Sequence, residues 1–277
     1  MKKILAVSGG LDSVVMLHMF RNDPDVIVAH FDHGIRPNSS DDCDFVEKIA
    51  KSYNRPFFAR HAKLGEDCPE DTARRARYDF LTKLAKEQNG QIYTAHHRDD
   101  LIESVAINLI RGTGWRGLAP LNNPSIVRPL LDMTKKDIYR YAAEHNLRFR
   151  QDQSNSDDSY LRNRIRFALR DVPDAQKEKL ANLAMAQRRL AVEVDDILNS
   201  LNLNSNYPRS LFSQDDQVSI EILRFCLIQN DVQLTRPQLA RALEAIRTFA
   251  QGKKYSLDKN HFLKINRYYF GVTTEIC

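Results

Sequence analysis

The sequence predicts an α/β fold: a parallel twisted sheet with helices on both faces, then a long helix and a small α+β C-terminal domain. Three observations predict the first part. Up to about residue 130, short apolar runs alternate with stretches of helical periodicity, the mark of βαβ units. A glycine pair separates the first apolar run from the first helical stretch. Polar clusters, SGGLDS, HFDHG and TAHHRDD, close three of the runs, and ligands of parallel sheets bind at strand carboxyl ends.

Taken in order, residues 4–7 form a buried strand and residues 14–19 the apolar start of a helix. A strand over 26–30, a helix near 42–53 and a strand over 56–60 follow. A third helix spans about 72–88 and leads to a strand at 92–95. Thr134 is placed to cap a helix over 135–145. After Pro173 a long helix carries Leu180, Leu183, Ala184, Leu190, Val194, Ile197 and Leu201 at helical spacing, a packing stripe. Residues 202–208, NLNSNYP, have linker composition and divide the chain into domains 1–201 and 209–277. Two helical patterns, 217–229 and 237–249, precede short strands around a turn at 258–260.

The chain has 277 residues, 42% of them hydrophobic, enough for a large core. Its four cysteines, Cys43, Cys68, Cys226 and Cys277, form no CxxC pair, which argues against a zinc ribbon or a thiol redox motif. They read as reduced thiols, and no apolar run approaches the roughly 20 residues of a membrane span, so a cytoplasmic protein without a membrane partner is expected. The net charge of +5 is modest, so any polyanion contact must come from clustering.

Four clusters could carry chemistry. The glycines of SGGLDS free backbone N–H groups at a helix start, a site for an anion, yet the lysine of a Walker loop is missing. In TAHHRDDLIES, Asp100 and Glu103 share a helix face, as do Asp99 and Glu103. Such carboxylates can hold Mg²⁺ or an ammonium group or act as a base, whereas simple dipole complementarity would also place acids there. In NLIRGTGWRGL, Arg111 and Arg116 flank glycines and suit phosphate, or they solvate a helix end. In DDSYLRNRIRFALR, Arg162, Arg164, Arg166 and Arg170 suit a polyanion, or one solvated face. The tail interleaves Lys253, Lys254, Lys259, Lys264 and Arg267 with Tyr255, Phe262, Tyr268, Tyr269 and Phe270, most of which a small domain would bury.

SGGLDS resembles the PP-loop of the N-type ATP pyrophosphatases, Rossmann-like enzymes that cleave ATP to AMP and pyrophosphate. HFDHGIRPNSSDD, EDTARRARYDFL, TAHHRDDLIES, NLIRGTGWRGL and DQSNSDDSYLRNRIR, in that order through about residue 170, resemble the tRNA(Ile)-lysidine synthetases. The resemblance implies an ATP- and Mg²⁺-dependent ligase that adenylates the wobble cytidine of tRNA(Ile) with anticodon CAU. Free lysine then displaces AMP to give lysidine.

It further implies that Ser8, Gly9, Gly10, Leu11, Asp12 and Ser13 bind ATP, with Asp12 near the Mg²⁺ and Arg111 and Gly112 by the nucleotide. Asp12, His96, Asp100 and Glu103 would be catalytic, with Asp100 and Glu103 also holding lysine. Arg162, Asn163, Arg164 and Arg166 would face the tRNA, and Arg162 could equally face the reacting centre. Family members are often dimers, so a homodimer is open. Longer members carry a further C-terminal domain that helps grip the tRNA acceptor stem, and this chain is expected to lack it, which leaves the rejection of methionine tRNA open. Departures from the family pattern are Asp32 for Asn, Ser104 for Thr and GLAPL for GLxGM. The alternatives are another PP-loop tRNA-modifying enzyme, a small-molecule AMP-forming synthetase, or an inactive RNA-binding relative.

Overall fold

The computed structural model describes residues 1–34, 39–62, 64–65, 68–150, 161–203 and 205–274. Parts of two of the sequence blocks, at 35–38 and 152–160, lie outside the described residues. The chain forms two compact units, Met1–Gln187 and Arg188–Cys277.

The first unit holds strands β1 (Lys2–Ala6), β2 (Val26–Asp32), β3 (Phe57–His61), β4 (Gly90–Tyr93) and β5 (Ile126–Val127). All pair in parallel, in the order β3-β2-β1-β4-β5. Helices α1 (Leu11–Met19), α2 (Ser39–Ser52), α3 (Glu70–Glu87), α4 (Arg98–Ile110) and α5 (Lys135–Glu144) follow the strands. Alternation along each strand sends neighbouring side chains to opposite faces. Leu5, Val7, Val26 and Val28 pack with α1, α2 and α5, whereas Ile4, Ile27, Ala29 and Ile92 pack with Leu81, Leu84 and Ala85 of α3. Helices therefore cover both faces, and β1 and β2 are buried throughout their centres.

The strand order reverses between β1 and β4, and at such a switch point the connecting loops diverge and leave a crevice. SGGLDS leaves β1 and TAHH leaves β4, so these two clusters flank that crevice. HFDHG leaves β2, on the far side of β1. The two-residue β5 was not foreseen, because so short a strand has no readable alternation.

Helix α6 (Leu161–Ala168) packs on α4 and precedes α7 (Asp174–Ser200). The buried residues of α7 are Ala181, Ala184, Ala191 and Leu198. Leu183, Leu190, Ile197 and Leu201 of the expected stripe are exposed, so it mixes two faces, and small alanines make the contact instead.

The two units divide inside α7, not at residues 202–208. Within the expected linker, Asn206–Pro208 forms β6 and Tyr207 is fully buried. The second unit packs the helices α8 (Asp216–Ile228) and α9 (Arg236–Thr248) with an antiparallel sheet, β6-β9-β8-β7. Its later strands are β7 (Lys254–Ser256), β8 (His261–Ile265) and β9 (Tyr269–Thr274). Phe270 is in its core and Tyr255 packs against it, while Tyr268 and Tyr269 are exposed. None of the helices is long and apolar enough to cross a membrane, among the described residues.

Candidate active site

The loop after β1 is shaped by Gly9, whose φ of +91° is a left-handed conformation that a side chain would strain. Gly10 caps α1 without any side-chain hydrogen bond, which leaves the first N–H groups of the helix to a ligand. The hydroxyls are organised inward. Ser13 Oγ donates to Gly10 O at 2.8 Å and accepts from Ser8 N at 3.2 Å, and the two serine oxygens are 3.2 Å apart. The loop is therefore a preformed cup with the positive end of α1 at its base, suited to an anion. It is braced by its neighbours: His30 Nδ1 lies 2.8 Å from Val7 O, and Arg150 N donates to Gly9 O at 3.0 Å.

At the end of β4, His97 caps α4. Its Nδ1 accepts from Asp99 N at 3.2 Å, and its own N–H donates to Asp100 Oδ2 at 3.0 Å. His97 Nε2 points between Asp12, 3.9 Å away, and Asp100, 3.6 Å away. Burial opposes its protonation, but the Asp99 contact and the fields of Asp100 and Asp12 outweigh it and raise its pKa. A single histidine thus ties the β1 loop to the acidic start of α4. The sequence points to His96 as the catalytic histidine and assigns His97 no role of its own.

Lys135 was also missed. Its Nζ contacts both Asp12 oxygens, at 2.6 and 2.9 Å, and its backbone N–H donates to Asp99 Oδ2 at 2.7 Å. The Thr134 cap, which the sequence did reveal, is what delivers the start of α5 to this point.

Asp100 and Glu103 do share a face of α4, and α6 meets it. Glu103 is buried, with only 3% of its surface exposed. It accepts from Arg162 Nε at 3.0 Å and from Arg166 Nε at 2.6 Å, while Arg162 Nη2 reaches Asp100 Oδ1 at 3.4 Å. The hydrogen bond to Glu103 raises the pKa of Arg166 further. Arg162 and Arg166 therefore face this centre, whereas Arg164 is exposed and Asn163 is half-buried.

His96 is oriented by Thr94, with Thr94 Oγ1 2.8 Å from its Nδ1. Burial, reinforced by Arg128, Arg77, Arg162 and Arg74, pulls its pKa down to about 3, so it is neutral at physiological pH.

Arg111 and Gly112 are not brought here. They follow the last residue of α4, about 20 Å along its 13 residues from His97 at 1.5 Å per residue. Gly112, at φ +67°, and the Thr113 N–H close the helix by bonding Leu109 O and Asn108 O, a capping arrangement. Gly117 is required there, because a Cβ would fall 1.9 Å from Thr113 Oγ1. Of the departures, Asp32 is buried and accepts from Gly34 N and His61 Nδ1, and Ser104 Oγ donates to Asp100 O at 2.7 Å, both structural roles.

A doubly wound sheet with an anion cup at its switch point and acids across the crevice defines a class of nucleotide-handling α/β proteins. The chain belongs to the PP-loop family: the family's PP-loop domain matches residues 1–172. Among curated relatives, a tRNA(Ile)-lysidine synthase of Thermotoga sp. (strain RQ2) is 38% identical over 59% of this chain and 43% of its own length. That of Geobacter sulfurreducens is 37% identical over 60% of this chain and 39% of its own length. A bifunctional TilS/HprT protein of Listeria monocytogenes serotype 4b (strain F2365) is 36% identical over 61% of this chain and 29% of its own length. The matched part thus spans less than half of these relatives. Among solved structures, the U34-tRNA thiolase NcsA of Methanococcus maripaludis aligns with a TM-score of 0.58 at 19% identity, over 69% of this chain and 71% of its own, a likeness of fold.

Proposed function

We propose that this chain is an ATP-dependent, AMP-forming ligase that joins free lysine to C2 of the wobble cytidine of tRNA(Ile) with anticodon CAU. The observation that carries the reading is the Asp100–Glu103 pair facing the PP-loop across the crevice, already engaged with cationic guanidinium groups. A carboxylate pair that holds guanidinium ions is a receptor for a cationic amine. The lysine that must approach an adenylated cytidine is one. The names of the curated relatives support the same reading.

ATP would place its phosphates on the cup of Ser8, Gly9, Gly10, Leu11, Asp12 and Ser13. The cytidine O2 attacks the α-phosphorus, an O–P bond forms, and pyrophosphate leaves toward the N-terminus of α1. Mg²⁺ typically takes one or two carboxylates plus phosphate oxygens. Asp12 fits that role through its hard oxygens, and Lys135 would then turn from Asp12 toward phosphate. When bound, the ion would neutralise charge on the leaving pyrophosphate.

The amine of lysine then attacks C2, and the C2–O bond breaks to release AMP. An ammonium must first lose a proton, and Asp100 is the base at hand. Its Oδ2 is fixed by the His97 N–H, while Oδ1, held only at 3.4 Å by Arg162, is the more available oxygen. Glu103, more firmly held, orients the cation. The buried Cys226, with its pKa pushed up to about 12 by burial, and the buried Cys43 offer no reactive thiolate for sulfur transfer.

The test is incorporation of radiolabelled lysine into tRNA by the purified chain with ATP and Mg²⁺, with methionine tRNA as control. Label in isoleucine tRNA alone is the expected result. AMP release without label on that tRNA discards lysidine synthesis and keeps the ATP chemistry.

A further inference from the structure

The EDTARRARYDFL block has no role in the chemistry above, yet it places two arginines beside the end of β4. Arg74, Arg77 and Tyr78 lie at i, i+3 and i+4 on α3, one face of the helix. Their guanidinium carbons stand 5.1 and 5.3 Å from the Tyr78 ring centroid, so one aromatic ring orients two like charges. Among the described residues no carboxylate pairs with either; Glu103 pairs with Arg162 and Arg166.

Two nitrogens here are sealed from solvent without a hydrogen-bond partner: Arg77 Nε and His33 Nδ1, the latter just past the end of β2. A buried donor left unpaired costs about 1–3 kcal/mol, more when it belongs to a cation, and native folds keep few of them. Arg128 follows β5 directly, its Nη1 donating to Ile126 O at 2.9 Å. The Phe31 ring packs on His33 at 4.8 Å and on Phe80 of α3 at 5.9 Å, which brings the end of β2 to α3. Thr94, the partner of His96, donates its N–H to Val127 O at 3.0 Å beside Arg128. Arg77 opposes the protonation of both histidines in addition to burial. The ends of β2, β4 and β5 thus bring cationic and neutral donors to the α3 side of the sheet.

We propose that Arg74, Arg77 and Arg128, with His33 and His96, bind a phosphate oxyanion at a site separate from the PP-loop. Forked guanidinium groups match tetrahedral oxyanions, and a neutral imidazole supplies one N–H donor without needing a counter-charge. Two sources share this chemistry: a phosphodiester of the RNA substrate, and a free phosphate or pyrophosphate. The site rests on the proposed function only for which of these fills it.

The test uses the full chain, its Arg77→Met and Arg74→Gln variants, and two probes: an anticodon stem-loop RNA hairpin and inorganic pyrophosphate. If a phosphodiester fills the site, each variant weakens hairpin binding about tenfold and flattens its salt dependence by about one unit of slope. If a free phosphate fills it, hairpin binding is retained and calorimetry finds two pyrophosphate sites in the parent and one in each variant. Without ligand, Arg77→Met is expected to melt at or above the parent, because an apolar chain replaces a guanidinium whose Nε is buried without a partner. Unchanged binding of both probes by Arg74→Gln, with a lowered melting point for Arg77→Met, assigns these residues to packing and overturns the proposal. Failure of lysine labelling in the parent, with the variants still defective in probe binding, discards the ligase reading and leaves this site standing.

Discussion

His96 and His97 are neighbours in sequence, and they mark the border between two opposite regions. His97 looks into a cluster where every charge has a partner: Asp12 with Lys135, Asp99 with the start of α5, and Asp100 and Glu103 with arginines of α6. His96 looks toward α3, where Arg74 and Arg77 have no paired acid among the described residues. The same side chain is therefore pushed in opposite directions, up at 97 and down to about 3 at 96. The difference teaches that charge composition alone says little. The paired side holds its carboxylates on cationic groups. The α3 side, among the described residues, sets no acid against Arg74 and Arg77.

The sharpest way to break the comparison is at the paired side. Asp100→Asn keeps the shape of the cap but removes the base, and lysine transfer should fall by at least about 100-fold. Hairpin affinity should hardly move. Equal single-turnover lysine transfer in variant and parent would remove Asp100 from the chemistry.

A middling effect is expected from the arginines of α6. Arg164 is exposed and free to meet a phosphate, so Arg164→Gln should flatten the salt dependence of tRNA binding by about one unit of slope. Arg166 holds Glu103, so Arg166→Gln should leave that slope nearly unchanged while impairing lysine transfer. Filter-binding titrations across a salt series test both, and equal slopes for the two variants would erase the distinction.

The smallest effect is in stability against pH, and it should have opposite signs at the two histidines. A group with a raised folded pKa stabilises fully below its ordinary value, near 6.5, and loses that as pH rises through the folded value. The deficit of His97→Gln in melting temperature should therefore shrink between pH 5.5 and 8.5, a range of about three units around that value. For His96 the contribution is present above 6.5 and is lost as pH falls toward about 3. His96→Gln should consequently melt with a flatter acid limb than the parent. Parallel scanning-calorimetry curves for all three proteins would contradict both assignments.

Strand–helix alternation made the parallel sheet legible, since Leu5, Val7 and Val26 or Ile4 and Ile27 announce their faces by period two. The glycine pair announced the anion cup, and the Asp100–Glu103 spacing announced a shared helix face. The capping residue Thr134 gave the start of α5 to within a residue. These are local matters, fixed by sterics, periodicity and hydrogen bonds between near neighbours. What the local pattern could not supply is which distant elements come together. Lys135 meets Asp12 across 123 positions, Arg166 meets Glu103 across 63, and α7 buries three alanines and Leu198 while Leu183 and Leu190 stay outside. Arg111 reads as a nucleotide ligand beside its glycines, yet the length of α4 carries it to the far end. The sequence by itself determined most of the elements, the loop and the residue types of the site. The packing of α5, α6 and α3 on the strand ends decided which charges are paired, because pairing depends on distances that no spacing along the chain encodes.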